Sequence, residues 1–240
     1  MLTLPEIVNI IESEGFQGAH TLVFLIKYAY LADDKKLMSL VENTLESMDS
    51  LLESEMLYAA YKELYAATGK GLDALKFLKS RGYGAAKEDM PWDLLDRYRE
   101  TYDPSYLERA IKGAEYILKN FHDMFNPENV YDISEPSFNS RVAVLYDEIA
   151  RYTQDKKWKD ARDKQNKFIR LLSDKYPTGV GYGLIALLGE EFGETTVVCE
   201  GEIPSSVLNF YAPTTAIVFK PSEKKSIGIM KDGVVEQIKL

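Results

Sequence analysis

Apolar residues recur at helical spacing along most of this chain, and short polar breaks interrupt them at four places. Each break contains an Asp or a Gly, and a large apolar residue follows three positions later. The four pairs are Asp34 with Leu37, Gly69 with Leu72, Asp103 with Tyr106, and Asp155 with Trp158. Because Asp and Gly end one helix and cap the next, the third residue falls on the buried face of the new helix. The pattern predicts helical hairpins that recur about once per 35 residues, with one long insertion.

Ten helices, or five pairs, follow from this spacing. They are Leu4 to Glu14, Gly18 to Leu31, Lys35 to Met48, Glu53 to Thr68, Leu72 to Lys79, Trp92 to Thr101, Tyr106 to Phe121, Ser140 to Thr153, Lys156 to Leu172 and Val180 to Glu191. In the helix from Glu53 to Thr68, apolar residues and the tyrosines Tyr58, Tyr61 and Tyr65 cover almost the whole circumference. A helix that is apolar on every side is enclosed by neighbours, so we expect this helix inside a helical ring and its partner outside.

The C-terminal residues change from helical spacing to β-branched runs. These runs are Thr195 to Glu200, Thr214 to Phe219, Ser226 to Met230 and Val234 to Ile238. Asp232-Gly233, between the last two runs, is a strong signal for a two-residue hairpin turn. We therefore expect a mainly α protein, with helical hairpins over residues 1–192 and a small β-rich appendage over residues 193–240 that packs on them.

Charge and cysteine content exclude several classes of function. The net charge is -9 and the chain has no run of Lys and Arg, which argues against nucleic acid because neutralising phosphates needs a basic face. Cys199 is the only cysteine, so neither an intrachain disulfide nor a cysteine zinc site can form, and a buried, inert thiol is expected. The N-terminus lacks a basic flank and no stretch is long and apolar enough for a membrane span, which predicts a cytoplasmic protein.

The insertion from Asp123 to Asn139 is the segment most suggestive of function, because helical arrays need only two to eight residues between helices. Asp132, Glu135, Ser137 and Asn139 would gather at the mouth of a helical ring and bind a ligand. Alternatively, Ser137 or Asn139 caps the next helix, with Pro136 directing its start. Both interpretations remain open at this point, and they are compatible with each other.

Candidate acid and base groups are few. Glycoside hydrolysis needs two carboxylates about 5–10 Å apart, and Glu55 with Asp132 is the pair that the sequence offers; stabilising a helix start is the alternative role for Glu55. His20 and His122 lie at predicted helix ends and are expected to be capping or surface groups. Neither histidine has the spacing of a metal site, and there is no phosphate loop, nucleophile elbow or CxxC motif, so no metal or cofactor is predicted.

Three segments resemble the C-terminal helical domain of the YyaL and spermatogenesis-associated protein 20 family, the highly conserved thioredoxin-domain proteins. The first is Glu14 to Ala19 followed by Leu37 to Met48, the second is Glu55 to Ala60 with Ala66 to Gly69, and the third is Asp132-x-x-x-Pro136-Ser137-x-Asn139-Ser140. The third segment is the most specific, because it is similar to the family's Asp-x-x-x-Pro-Ser-x-Asn-Ser stretch. The resemblance follows the family's order along nearly the whole chain, at thin identity.

The resemblance implies an α/α toroid of the six-hairpin glycosidase class, related to N-acylglucosamine 2-epimerases and therefore to sugar chemistry. This chain departs from the family in three ways. The family's His-Phe-Glu is here Leu52-Glu53-Ser54, and its Gly-Gly-Phe loop and Asp-Ala-Asp segment have no counterpart. We also expect the chain to lack the family's thioredoxin domain. Five pairs cannot close a six-pair ring, so we expect an incomplete barrel that is open or completed by a second chain, as in a homo-oligomer.

Three functional hypotheses follow. The first is a noncatalytic scaffold that binds a small polar ligand, such as a sugar, or a partner protein; its ligand-binding candidates are Tyr58, Tyr61, Tyr131, Ser137 and Asn139. The second is a sugar-active enzyme of the epimerase or glycosidase type, with Asp132 and Glu55 as acid and base. The third is an accessory that docks a separately encoded thioredoxin-like protein, and it depends on analogy with the family.

Overall fold

A computed structural model describes residues 1–15, 18–48, 54–121 and 130–238 of the chain. Its α-helices are α1 (Leu4–Glu14), α2 (Ala19–Leu31), α3 (Lys35–Met48), α4 (Glu55–Thr68), α5 (Leu72–Ser80), α6 (Pro91–Thr101), α7 (Pro104–Asn120), α8 (Phe138–Thr153), α9 (Lys156–Ser173), α10 (Leu188–Phe192) and α11 (Ser205–Leu208). Its strands are β1 (Thr195–Glu200), β2 (Thr215–Lys220), β3 (Ser226–Lys231) and β4 (Val234–Ile238). The protein is therefore mainly helical with a small C-terminal sheet, as the sequence predicts.

The four predicted breaks are observed helix boundaries. The carboxylate of Asp34 accepts a hydrogen bond from the backbone N–H of Leu37 at 2.9 Å, which satisfies a free donor in the first turn of α3. Asp103 and Asp155 accept backbone N–H bonds at the starts of α7 and α9 in the same way. Gly69 ends α4 in the left-handed conformation at φ 74°, which glycine adopts without steric cost.

The residues three positions after the breaks differ in burial. Leu37 and Trp158 are buried as predicted, and Tyr106 is half-buried. Leu72 is 37% exposed, so the expectation is wrong at that position. The local cap is set by neighbouring residues, whereas burial depends on which helix packs against the new face.

The Asp34 cap gives a first testable prediction. Asp34→Ala should lower the free energy of unfolding by about 1 kcal/mol, since the Leu37 N–H loses its acceptor at the start of α3. Urea unfolding followed by circular dichroism measures this change. Glu108→Ala, an exposed change on α7, is the control and should have an effect within about 0.5 kcal/mol. Equal stability of both variants and the wild type would contradict the assigned cap.

The chain divides into two compact units, each made of separate segments. The first unit contains Met1–Ala85, Pro127–Arg141 and Lys167–Glu191, and the second contains Ala86–Asn126, Val142–Asn166 and Phe192–Leu240. The second unit combines the C-terminal segment with helices from earlier in the chain. The predicted domain boundary after residue 192 therefore stays a prediction.

In the first unit, the enclosed helix is α2 rather than α4. Ten of the thirteen residues of α2 are buried, and they lie on all of its sides. Helix α4 packs against α2 but leaves Lys62, Tyr65 and Ala66 exposed, so the expectation of an enclosed α4 is wrong. The reason is that tyrosines occupy half-exposed positions as readily as buried ones, because the ring is apolar and the hydroxyl is polar.

The predicted helix from Val180 to Glu191 is also wrong as a continuous element. The chain forms two short 3₁₀ turns there, Pro177–Val180 and Gly183–Leu187, before α10. A Cβ atom on Gly183 would lie 2.9 Å from Oγ of Ser140, and a Cβ atom on Gly181 would collide with Oγ1 of Thr21. The backbone of this segment therefore packs directly on neighbouring elements, and tertiary contact overrides its helical pattern.

In the second unit, the four strands form a sheet in the order β2-β1-β3-β4, in which β1 and β2 are parallel and the other pairs are antiparallel. The predicted hairpin is confirmed, because Asp232 and Gly233 have φ values of 47° and 79° and join Lys231 to its partner Val234. On β2, the hydroxyl of Tyr98 from α6 donates to the carbonyl of Ile217 and accepts from the N–H of Phe219. These bonds satisfy backbone groups of an edge strand.

The second unit also contains a buried ion pair. The carboxylate of Asp147 accepts a hydrogen bond from the guanidinium of Arg151, one turn later on α8, at 2.7 Å. Burial raises the pKa of Asp147 to about 6, although Arg151 and Arg162 act in the opposite direction. The carbonyl of Arg151 accepts from the hydroxyl of Thr196 on β1, so the pair lies where the sheet attaches to α8. Cys199, on the same strand, is buried as predicted.

Candidate functional site

The described part of the insertion, residues 130–137 before α8, is called the connector below. It is organised around Asp132, which is 1% exposed. One carboxylate oxygen accepts from the N–H of Ser137 at 2.7 Å, and the other accepts from the N–H of Tyr182 at 2.9 Å. The N–H of Asp132 donates to the carbonyl of Gly179 at 2.7 Å. Asp132 therefore joins the connector to the segment 177–183.

Ser137 caps α8, as one of the two sequence interpretations proposed. Its hydroxyl oxygen accepts from the N–H of Ser140 at 3.1 Å, and its hydroxyl lies 3.1 Å from that of Ser140. Asn139 lies in the first turn of α8 and is half-buried. The ring of Tyr131 packs edge-on against that of Tyr176, with their centroids 5.3 Å apart. A ligand-binding role for these residues stays a prediction.

His20 and its neighbours form a group that the sequence did not reveal. His20 is fully buried in the first turn of α2, so the expectation of a capping or surface group is wrong. Burial lowers the pKa of His20, and the negative charge of nearby Asp132 opposes this effect. Thr21 and Thr178 are buried as well. Nothing in the sequence signals this burial, because Ala19-His20-Thr21 after Gly18 has the pattern of an ordinary helix start.

These three residues carry four polar atoms without a hydrogen-bond partner within the described ranges. The atoms are Nδ1 and Nε2 of His20 and the hydroxyl oxygens of Thr21 and Thr178. A buried polar atom that makes no hydrogen bond costs about 1–3 kcal/mol, so such atoms need a physical explanation in a folded protein. Together with Asp132, they define a buried polar cluster in the first unit.

Glu55 and Tyr58 contact a different segment. The carboxylate of Glu55, at the start of α4, accepts from the N–H of Gly84 at 2.9 Å. The ring of Tyr58 lies against the same residue, where a Cβ atom would collide with it. Glu55 and Asp132 therefore hold different backbone segments. Glu53, His122 and residues 123–129 of the insertion lie outside the described ranges.

Tyr61 borders a cleft of about 440 Å³ in the first unit. The cleft lies beside α3, α4 and the start of α5, and its lining residues include the acidic Glu42, Glu46 and Asp73. Lys70 also lines the cleft, and its ammonium group is 2.8 Å from a carboxylate oxygen of Glu42. The volume is within the range of small-molecule sites, about 300–1,000 Å³. Acidic residues therefore outnumber basic residues in this lining.

Two broader properties concern only the described part of the chain. None of its helices combines the length and the apolar composition that crossing a membrane would require. No group of three or more His, Cys, Asp and Glu side chains within it has the arrangement of a metal site.

Comparisons of the chain with protein-family models, with curated proteins and with solved structures found no match. The resemblance to the YyaL family therefore stays a prediction that depends on the three segments quoted above. The protein is mainly helical, with a buried polar cluster at Asp132 and an open cleft at Tyr61 that is lined by acidic residues.

Proposed function

We propose that this protein is a noncatalytic scaffold that binds a small polar ligand in the cleft bordered by Tyr61. The proposal depends mainly on one observation: the two candidate catalytic carboxylates already accept hydrogen bonds from backbone N–H groups. Both oxygens of Asp132 accept backbone N–H groups, and Glu55 accepts the N–H of Gly84. A general acid or base must come within hydrogen-bond reach of its substrate. Asp132 is buried and holds two segments of backbone together, which is the role of a structural group.

The lining of the cleft indicates the chemistry of the ligand. Glu46 and Asp73 are acidic residues of the lining, and the ion pair between Glu42 and Lys70 adds one acceptor and one donor group. Carboxylates accept hydrogen bonds, so they favour a ligand that donates them. Sugars and amines both have this property, and the number of carboxylates gives an advantage to a ligand that also carries positive charge.

A thermal-shift experiment tests this proposal. Glucose, N-acetylglucosamine and the diamine putrescine are added separately at increasing concentrations. A ligand at 100 times its Kd should raise the melting temperature by about 5 °C or more, because binding to the folded state alone stabilises it. Glu46→Gln and Asp73→Asn should reduce the shift, since each removes a charged acceptor from the cleft.

Glu108→Gln serves as the matched control, since Glu108 is an exposed carboxylate on α7 outside the cleft. Its thermal shift should equal that of the wild type. If none of the three ligands changes the melting temperature of the folded protein, the binding proposal fails. If Glu46→Gln and Asp73→Asn leave the change in melting temperature unaltered, the ligand binds at another site.

The sugar-active enzyme is the competing proposal, and it predicts turnover. Incubation with nitrophenyl glycosides and with N-acetylglucosamine, followed by nuclear magnetic resonance, should show neither hydrolysis nor epimerisation. Turnover that Asp132→Asn abolishes in a folded variant would favour the enzyme. The toroid, the docking of a separately encoded thioredoxin-like protein and assembly into a homo-oligomer stay proposals that the resemblance alone supports.

A further inference from the structure

The buried polar cluster contains hydrogen-bonding capacity that the described residues do not use. His20 and Thr21 are fully buried and Thr178 is 1% exposed. Within the described ranges, neither imidazole nitrogen of His20 has a hydrogen-bond partner, and the same is true of the two threonine hydroxyls. Buried polar groups in folded proteins are nearly always paired, with protein, with water or with a ligand.

These groups belong to one neighbourhood of the first unit. The charge of Asp132 acts on the His20 ring, and the N–H of Asp132 donates to the carbonyl of Gly179, the residue after Thr178. The hydroxyl of Thr21 lies against the backbone of Gly181. The start of α2, the connector and the segment 177–183 therefore meet in this part of the first unit.

We propose that His20, Thr21 and Thr178 form a binding site for one small uncharged molecule that both donates and accepts hydrogen bonds, such as a polyol. The site shares no residue with the cleft at Tyr61. It therefore stands independently of the proposed function, and either one can fail alone.

The chemistry of the groups selects a neutral ligand. Burial lowers the pKa of His20, so the imidazole is neutral at pH 7 and offers one donor and one acceptor. Each threonine hydroxyl can also do both. The negative charge of Asp132 would repel an anion, and both of its oxygens already accept backbone N–H groups. At His20, the loss of hydration on burial outweighs the attraction of Asp132 for positive charge, so a cation is disfavoured as well.

The backbone limits the size of the ligand. A Cβ atom on Gly18 would lie 2.6 Å from Cε1 of His20, and one on Gly181 would collide with Thr21. Even a methyl group added at either glycine would have to displace these side chains, so the backbone closes the site on these two sides. Because two sides are closed, a molecule as small as glycerol or acetamide suits the site better than a hexose.

Nitrogen-15 spectra of histidine-labelled protein test the site directly. The chain has two histidines, so the His122→Gln variant assigns the His20 signals. Glycerol should shift the imidazole resonances of His20 saturably, because it supplies partners to both nitrogens. The double variant Thr21→Val with Thr178→Val should bind glycerol at least about tenfold more weakly, since it removes two hydroxyl partners and keeps the shape.

Thr44→Val is the matched control, because the hydroxyl of Thr44 bonds its own helix at Leu40 and lies outside the cluster. Its affinity for glycerol should equal that of the wild type. Titration of the wild type with glycerol and acetamide decides the question even if the double variant does not fold. If neither probe gives a saturable shift and His20 shows magnetisation transfer only from water, the ligand proposal is wrong. Saturable binding of phosphate in place of glycerol would overturn the uncharged class.

Discussion

Asp147→Ala should lower the free energy of unfolding by about 3–5 kcal/mol, as measured by urea unfolding at pH 7. Asp147 and Arg151 form a buried pair on α8, with a guanidinium nitrogen 2.7 Å from a carboxylate oxygen. Removing the carboxylate leaves the charge of Arg151 buried without its partner, and this uncompensated charge is the source of the cost. A decrease of this size is a large part of the free energy of unfolding of an ordinary domain.

Two further variants separate the cost of a broken pair from the value of the pair itself. The double variant Asp147→Leu with Arg151→Met should be more stable than Asp147→Ala, because it removes both charges and keeps most of the volume. Asp160→Ala breaks the exposed pair with Lys156, which has the same spacing on α9, and should change stability little. A small effect of Asp147→Ala, similar to that of Asp160→Ala, would show that the pair is accessible to water.

Asp132→Ala should have a comparable effect, about 3–5 kcal/mol. The two hydrogen bonds to the carboxylate of Asp132 involve a charged acceptor, and each is worth about 1.5–3 kcal/mol. Their loss leaves the N–H groups of Ser137 and Tyr182 without that acceptor. Urea unfolding measures the total effect, and hydrogen exchange should show faster exchange of these two amides in the variant.

Matched variants define the role of Asp132 more closely. Asp132→Asn keeps one carbonyl acceptor and should lose less stability than Asp132→Ala. Ser137→Ala removes the cap of α8 together with the contact to the Ser140 hydroxyl and should cost about 1 kcal/mol. If Asp132→Ala is as stable as the wild type, the carboxylate is not a structural acceptor, and the argument against an acid or base role for Asp132 is lost.

The candidate site was predictable from sequence only in part. The sequence alone selected Asp132 and Ser137, because a long connector between helices with Asp, Pro and Ser in it is unusual. The hydrogen bonds then showed that Ser137 caps α8 and that Asp132 holds the segment 177–183. His20 escaped detection because nothing next to it in the chain distinguishes a buried histidine from one that caps a helix.

The sequence by itself determined the features that depend on neighbours a few residues apart. These are the starts of α3, α7 and α9 at Asp34, Asp103 and Asp155, and the turn at Asp232-Gly233. Caps and two-residue turns are made by local backbone conformation and one side chain, so their signals are local as well.

Only the tertiary structure decided which apolar helix is enclosed and which polar groups are buried. Helices α2 and α4 are both rich in apolar residues, yet α2 became the central helix of its unit and α4 kept an exposed side. The segment after Pro177 does not form the helix that its pattern predicts, because the backbone at Gly181 and Gly183 packs against Thr21 and Ser140. Periodicity within one segment shows which face of a helix is apolar, as at Leu37 and Trp158. It does not show which helix becomes enclosed, because this depends on contacts between residues far apart in the chain.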